Sequence, residues 1–250
     1  MLVNGKWTAN WQPVQAKDEQ GRFVRQISSF RNWITADGSP GPTGTGGFKA
    51  EAGRYRLFVA LICPWASRTL IARKVKGLEA LIPVTVVNPV LTDQGWAFGG
   101  YPGADADPVL GAGHLHELYS KADPGFTGRA TVPILWDSRT GTIVSNESAD
   151  ILRMLDTAFA GLVPETPLLY PDDLASDIDA LNAEIYDSLN NGVYKAGFAS
   201  TQTAYDEAVA GVFATLDRLE ARLDGAFLFG DRFTETDIRL FVTLIRFDAA

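Results

Sequence analysis

The chain has 250 residues, with 22 Lys and Arg against 30 Asp and Glu for a net charge of −8, and 46% of it is hydrophobic. That length and composition bury a substantial core, in one large domain or two ordinary ones, which excludes disorder as the dominant state. The acidic balance excludes wholesale nucleic-acid binding, which needs a basic face, and the single cysteine excludes an internal disulfide or a cysteine-rich zinc site.

Met1 to Trp11 has no apolar run behind a basic start, so no signal peptide is predicted. No window approaches eighteen apolar residues, and a soluble, cytoplasmic protein without a membrane partner is expected. Residues 1–50 carry scattered aromatic residues (Trp7, Trp11, Phe23, Phe30, Trp33) and end in the glycine- and proline-rich stretch from Ser39 to Gly47. They read as an ordered arm followed by a loop. Those glycines follow no strand and lack the lysine of a phosphate loop, so nucleotide binding is not expected.

Regular patterning begins at Tyr55. Tyr55 to Leu61 reads as a strand, and Cys63-Pro64 opens a helix that runs to Lys76 and stops at Gly77. The basic residues from Arg68 to Lys76 on that helix are expected to form a solvated face. Leu81 to Val87 is a second strand, rich in β-branched residues. After a long excursion, Thr131 to Trp136 and Thr142 to Val144 read as strands joined by a turn-rich link suited to a hairpin. A helix then starts near Glu147.

Composition shifts at residues 161–173, where three prolines mark a linker. Beyond it the chain reads as helical over Leu174 to Asn190, Ala204 to Leu223 and Asp237 to the end. In the second of these Val209, Val212, Phe213, Leu216, Leu219 and Leu223 share a face. Before the last, Thr234-Glu235-Thr236-Asp237 has the spacing of a reciprocal capping box. The expected organisation is an arm (1–50), a mixed α/β domain (51–160), the linker, and an all-helical domain (174–250). The final apolar helix runs into Ala250 without a terminator, so the helical domain is expected to be a truncated version of something longer.

Cys63 carries the strongest chemical signal. At a helix N-cap with proline in the first helical position, free amides and the helix dipole favour an anion, which raises the thiolate fraction of a thiol. The competing reading is a small buried hydrophobe; the strand-to-helix junction favours a nucleophile. Position 66 is alanine, so no second thiol resolves an intermediate, and covalent chemistry must pass through a mixed disulfide released by an outside thiol. Glu147 and Ser148 are ordinary capping residues that can also hold a ligand's ammonium and carboxylate. Trp96, flanked by glycines, reads as a plug rather than a lid. His114 and His116 are expected to point to different faces of a helix, and no metal site is predicted. The Val132-Pro133 bond, taken alone, is expected to be trans.

Several blocks share one resemblance: Cys63-Pro64-Trp65-Ala66, Gly95-Trp96-Ala97-Phe98, Thr131 to Trp136, Ser145 to Ser148, Asn191-Gly192-Val193-Tyr194-Lys195-Ala196-Gly197-Phe198, Gln202 to Tyr205, Thr236 to Arg239 and Leu244 to Asp248. Together they resemble a glutathione transferase, and more narrowly the glutathionyl-hydroquinone reductases, its Xi class. The resemblance implies a thioredoxin-like N-terminal domain, an all-α C-terminal domain, and a homodimer. It implies glutathione as co-substrate and glutathionyl-hydroquinones as substrates. It matches Cys63 to the nucleophile, and Val132, before an expected cis Pro133, to the residue pairing with glutathione's cysteinyl part. Glu147 and Ser148 match the residues holding the γ-glutamyl end, Trp96 and Arg129 match positions lining the glutathione pocket, and Tyr194 matches a tyrosine facing the bound aromatic. An Omega-like thiol transferase or dehydroascorbate reductase, and a non-catalytic binding module, are the alternatives.

Overall fold

The computed structural model describes residues 1–8 and 16–247; Trp11 of the arm and Asp248 of the last sequence block lie outside them. The chain divides into two compact units, Met1–Gln12 with Ile27–Pro167, and Pro13–Gln26 with Leu168–Ala250. The first fifty residues, expected as a separate arm, are therefore divided between the two units.

The first unit opens with a short antiparallel pair, β1 (Leu2–Val3) and β2 (Lys6–Trp7). Its main sheet contains β3 (Tyr55–Val59), β4 (Val84–Val86), β5 (Ile134–Asp137) and β6 (Thr142–Ser145) in the order β4-β3-β5-β6. β3 pairs parallel with β4 and antiparallel with β5, and β5 pairs antiparallel with β6. The β3–β4 crossover carries helix α1 (Pro64–Val75), which ends at Gly77 in a left-handed conformation (φ +65°) open to glycine without strain. Helix α3 (Ser148–Thr157) follows β6. The excursion before β5 contains a helix whose extent the sequence pattern did not mark, α2 (Leu115–Ala122). Leu118, Tyr119, Phe58, Ile134, Trp136 and Ile143 form the centre of the core.

The basic stretch on α1 departs from the expected solvated face. Arg68 is 1% exposed, its guanidinium 4.5 Å from the centre of the Trp65 ring. Lys76, 3% exposed, pairs with Asp156 at 2.9 Å and donates to the Pro167 carbonyl at 3.0 Å. These long side chains bury their stems, Arg68 against a ring on its own helix and Lys76 against partners far along the chain; Lys74 is the one that projects into solvent, at 79% side-chain exposure.

The second unit is helical: α4 (Ala175–Glu184), which runs on as a π-helical turn over Ile185–Asn190, then α5 (Gly192–Gly197), α6 (Gln202–Arg222) and α7 (Glu235–Phe247). The linker contains short 3₁₀ turns at Ala160–Leu162 and Asp172–Leu174. The apolar face of α6 is narrower than the spacing suggested: Val212 and Leu219 are buried, whereas Phe213 and Leu223 are exposed. On α7, Ile238, Leu240 and Val242 turn inward, while Phe241, Leu244 and Ile245 are exposed. The cap before α7 is one-sided. Asp237 accepts from the Thr234 amide at 2.8 Å and from its hydroxyl at 3.0 Å, so that hydroxyl is a donor to the carboxylate rather than a cap acceptor. The second Asp237 oxygen takes the Leu228 amide instead.

Candidate active site

The topology gathers the candidate residues of the first unit at one end of its sheet. β3 ends there and leads to Cys63; its parallel neighbour β4 ends there and leads to the Trp96 loop. β5, antiparallel to β3, begins there after Arg129 and Val132, and β6 ends there before Glu147 and Ser148. Tyr194 belongs to the second unit, on α5.

Cys63 is the N-cap of α1, in extended conformation with Pro64 behind it. It is half-buried, and its Sγ lies 3.6 Å from the Val132 carbonyl oxygen. The Val132–Pro133 peptide is cis; the dipeptide alone favours trans, and the family resemblance is what anticipates the observed form. Val132 is buried.

Glu147 caps α3 with its own carboxylate, Oε1 accepting from the Ala149 amide at 3.1 Å and Oε2 from the Ser28 hydroxyl at 2.9 Å. Ser148 is buried in the first turn. Asp150, one residue pair further, is bound by the Arg31 guanidinium; burial nevertheless holds its carboxyl above the ordinary range. Ser28 and Arg31 lie in the segment read as an arm, and nothing in their local sequence marked them as neighbours of α3.

Trp96 is half-buried against the same core that Cys63 touches. Its carbonyl accepts the Leu115 amide at 2.9 Å, and the loop folds back over β4 through Asn88 N–H to the Ala97 carbonyl. Arg129 is half-buried, near enough to the N-terminal amine to lower its pKa, after burial itself. His114 and His116 do not point apart as expected: their rings stack at 5.5 Å, and His116 also stacks on Trp7 at 4.7 Å. His114 is the extended N-cap of α2, so the helical angle between the two positions does not apply. Among the described residues no group of three or more His, Cys, Asp or Glu is arranged to hold a metal ion, and no helix is long and apolar enough to cross a membrane.

In the second unit the Tyr194 ring lies 6.2 Å from Phe23 and 6.1 Å from Phe198, with the Arg25 guanidinium 4.6 Å from its centre. Arg25 also donates to the Asn191 side chain. A guanidinium over a phenol face fixes the ring by cation–π attraction.

A mixed four-stranded sheet with a cysteine at the first helix start and a cis-proline entering the adjoining strand is a thioredoxin-fold domain. Comparison with known proteins agrees. Family models for the glutathione S-transferase N-terminal domain and C-terminal domain match residues 62–158 and 202–250. The chain is 55% identical over 249 residues to the glutathionyl-hydroquinone reductase YqjG of Escherichia coli (strain K12), covering 99% of this chain and 75% of that protein. The glutathione-bound structure of YqjG superposes with a TM-score of 0.90 at 52% identity, over 100% of this chain and 75% of that one. A Xi-class glutathione transferase from Natrialba magadii gives 0.89 at 44% identity, over 100% and 75%. The chain belongs to the Xi class of glutathione transferases, the family of the glutathionyl-hydroquinone reductases.

Proposed function

We propose that the chain catalyses the glutathione-dependent reduction of S-glutathionyl-hydroquinones. The observation that carries the reading is the Cys63 thiol at the start of α1, 3.6 Å from the backbone carbonyl that precedes the cis-proline, in a chain so similar to a protein named for that activity. The Cys63 thiolate attacks the glutathione sulfur of the substrate. The carbon–sulfur bond breaks, its electron pair passes to the ring carbon, and protonation there releases the hydroquinone. Cys63 is left in a disulfide with glutathione, and a second glutathione thiolate attacks that disulfide at the glutathione sulfur to give oxidised glutathione and free Cys63. The balance is one glutathionyl-hydroquinone and one glutathione consumed for one hydroquinone and one oxidised glutathione formed.

The roles follow the resemblance. Val132 pairs its backbone with the cysteinyl part of glutathione, Glu147 and Ser148 take the γ-glutamyl end, and Trp96 and Arg129 line the pocket. Two oxygens that each accept one internal hydrogen bond leave Glu147 lone pairs for an ammonium group. Arg129 supplies local positive charge for the tripeptide's carboxylates despite the net −8. Tyr194 is assigned to the bound aromatic and to supply of the proton. The lone thiol fits a cytoplasmic enzyme, and the family resemblance a homodimer.

The test is release of hydroquinone from a glutathionyl-hydroquinone in the presence of glutathione. The reading expects turnover by the wild type and background rates for Cys63→Ser; unchanged turnover in that variant sinks it. A small aliphatic glutathione mixed disulfide reduced as efficiently as the aromatic substrate would point instead to an Omega-like thiol transferase.

A further inference from the structure

Tyr119, on α2, has no part in the chemistry above, yet its hydroxyl sits among the backbones that the glutathione reading uses. The side chain is fully buried, its ring packed edge-on against Phe30 at 5.6 Å and tilted against Phe126 at 5.1 Å. The hydroxyl donates to the Thr131 carbonyl at 2.9 Å, accepts the Thr131 amide at 3.2 Å, and accepts the Asn146 side-chain amide at 3.2 Å. Thr131 immediately precedes Val132; Asn146 immediately precedes Glu147.

The ladder between β5 and β6 ends at the Leu135–Ser145 pair. Beyond it the two chains have no rung of their own, and it is there that one presents the Val132 carbonyl to Cys63 and the other starts α3. The phenol bridges that gap. Asn146 extends the link, its Oδ1 accepting the Phe30 amide at 3.1 Å, while Ser28 reaches both the Asn146 carbonyl at 3.3 Å and the Glu147 carboxylate at 2.9 Å. Burial holds the phenol above its ordinary pKa, so it stays neutral and keeps both donor and acceptor capacity.

We propose that Tyr119 is a positioning residue of the glutathione site, whose hydroxyl sets the spacing between the Val132 backbone and the start of α3 at Glu147–Ser148. The proposal rests on the reading that glutathione's cysteinyl and γ-glutamyl parts bind at those two places. A ligand that must meet both at once senses the spacing, whereas the thiol at the head of α1 meets only the Val132 side of it. The phenol is therefore a determinant of glutathione affinity rather than of Cys63 reactivity.

The test is calorimetric titration of wild type, Tyr119→Phe, Asn146→Ala and the double variant with S-methylglutathione, which binds without reacting. Tyr119→Phe keeps the ring and removes the hydroxyl, and is expected to bind about tenfold more weakly at unchanged stoichiometry, the scale of one lost buried hydrogen-bond link. The rate of Cys63 alkylation at neutral pH stays within about twofold, since no contact to the thiol is removed. γ-Glutamylcysteine, lacking the glycine, is expected to lose the same factor. The double variant should bind no more weakly than the weaker single one, because both break one link.

A merely structural role would lower the stoichiometry and leave the affinity of the folded fraction alone; that result, or additive losses, overturns the proposal. If Tyr119→Phe yields no folded protein, unchanged affinity in Asn146→Ala overturns it and weakened affinity supports it. Wild type that binds S-methylglutathione but releases no hydroquinone sinks the reductase reading and leaves the positioning role standing. Wild type that does not bind the ligand overturns both.

Discussion

Asp137 ends β5 with no exposure to solvent, and its two oxygens receive a forked pair of hydrogen bonds from Arg54: Nε to Oδ1 at 2.9 Å and the terminal nitrogen to Oδ2 at 2.7 Å. The Arg139 amide and the Thr140 hydroxyl complete the carboxylate's shell. Burial alone would raise the Asp137 pKa; the Arg54 and Thr140 hydrogen bonds outweigh it and hold the carboxyl below its ordinary value. Asp137→Ala removes both oxygens of the forked pair and leaves a buried guanidinium whose remaining acceptors include the Gly47 carbonyl at 3.0 Å and the partly exposed Glu51 carboxylate at 3.3 Å. Removing one partner of such a pair costs about 3–5 kcal/mol, because the surviving charge stays desolvated. At roughly 2–4 °C per kcal/mol in a chain of this size, the melting midpoint should fall by about 10 °C.

All six tryptophans lie at or before Trp136, and none falls in the helical unit, so tryptophan fluorescence reports the first unit selectively. Replacing both partners, Arg54→Met with Asp137→Leu, should recover most of the loss, to within about 1–2 kcal/mol of wild type, because an apolar pair carries no desolvation cost. A loss below about 1 kcal/mol in Asp137→Ala would contradict a net contribution from burial of the pair, since that is the scale of a surface ion pair.

Two further predictions follow from the site. Glu147→Ala should cost about 1 kcal/mol as a lost helix cap and also raise the KM for glutathione, measured by denaturant melts and steady-state kinetics; a stability loss without a KM change would reduce Glu147 to its capping role. His116 has its pKa lowered from 6.5, first by burial and then by His114. The unfolded chain therefore takes up its proton before the folded one, so this contribution to stability is complete above pH 6.5 and declines as pH falls through the folded value. His116→Gln should flatten the pH dependence of unfolding below pH 6.5, by at most about 1.4 kcal/mol per pH unit for one group, and an unaltered slope would contradict the assignment.

The sequence announced what is local. Aromatic and β-branched runs marked β3 and β4, the Cys63-Pro64 junction marked the head of α1, and the turn-rich link marked the β5–β6 hairpin. It hid what is distant. α2 is only eight residues long and lies in a stretch punctuated by glycine, proline and aspartate, so its periodicity never accumulates. Arg68 and Lys76 looked solvated because a basic run carries no trace of Trp65 packing or of an Asp156 partner eighty residues away. Family motifs point to Val132, Glu147 and Ser148 as site positions; no local pattern points to Tyr119, Asn146 and Ser28, because their hydrogen bonds span 12 to 119 residues of chain. Reciprocity of the cap at Thr234 also does not follow from spacing, since the Thr234 hydroxyl spends its proton on the Asp237 carboxylate instead of accepting an amide.

The proposed reaction is covalent, and a single turnover exposes its intermediate. Protein mixed with excess glutathionyl-hydroquinone in the absence of free glutathione should release one equivalent of hydroquinone and gain the mass of one glutathionyl group, on the peptide containing Cys63, and added glutathione should remove it as oxidised glutathione. Hydroquinone released with no adduct on Cys63, or an adduct that glutathione does not discharge, would contradict the mechanism.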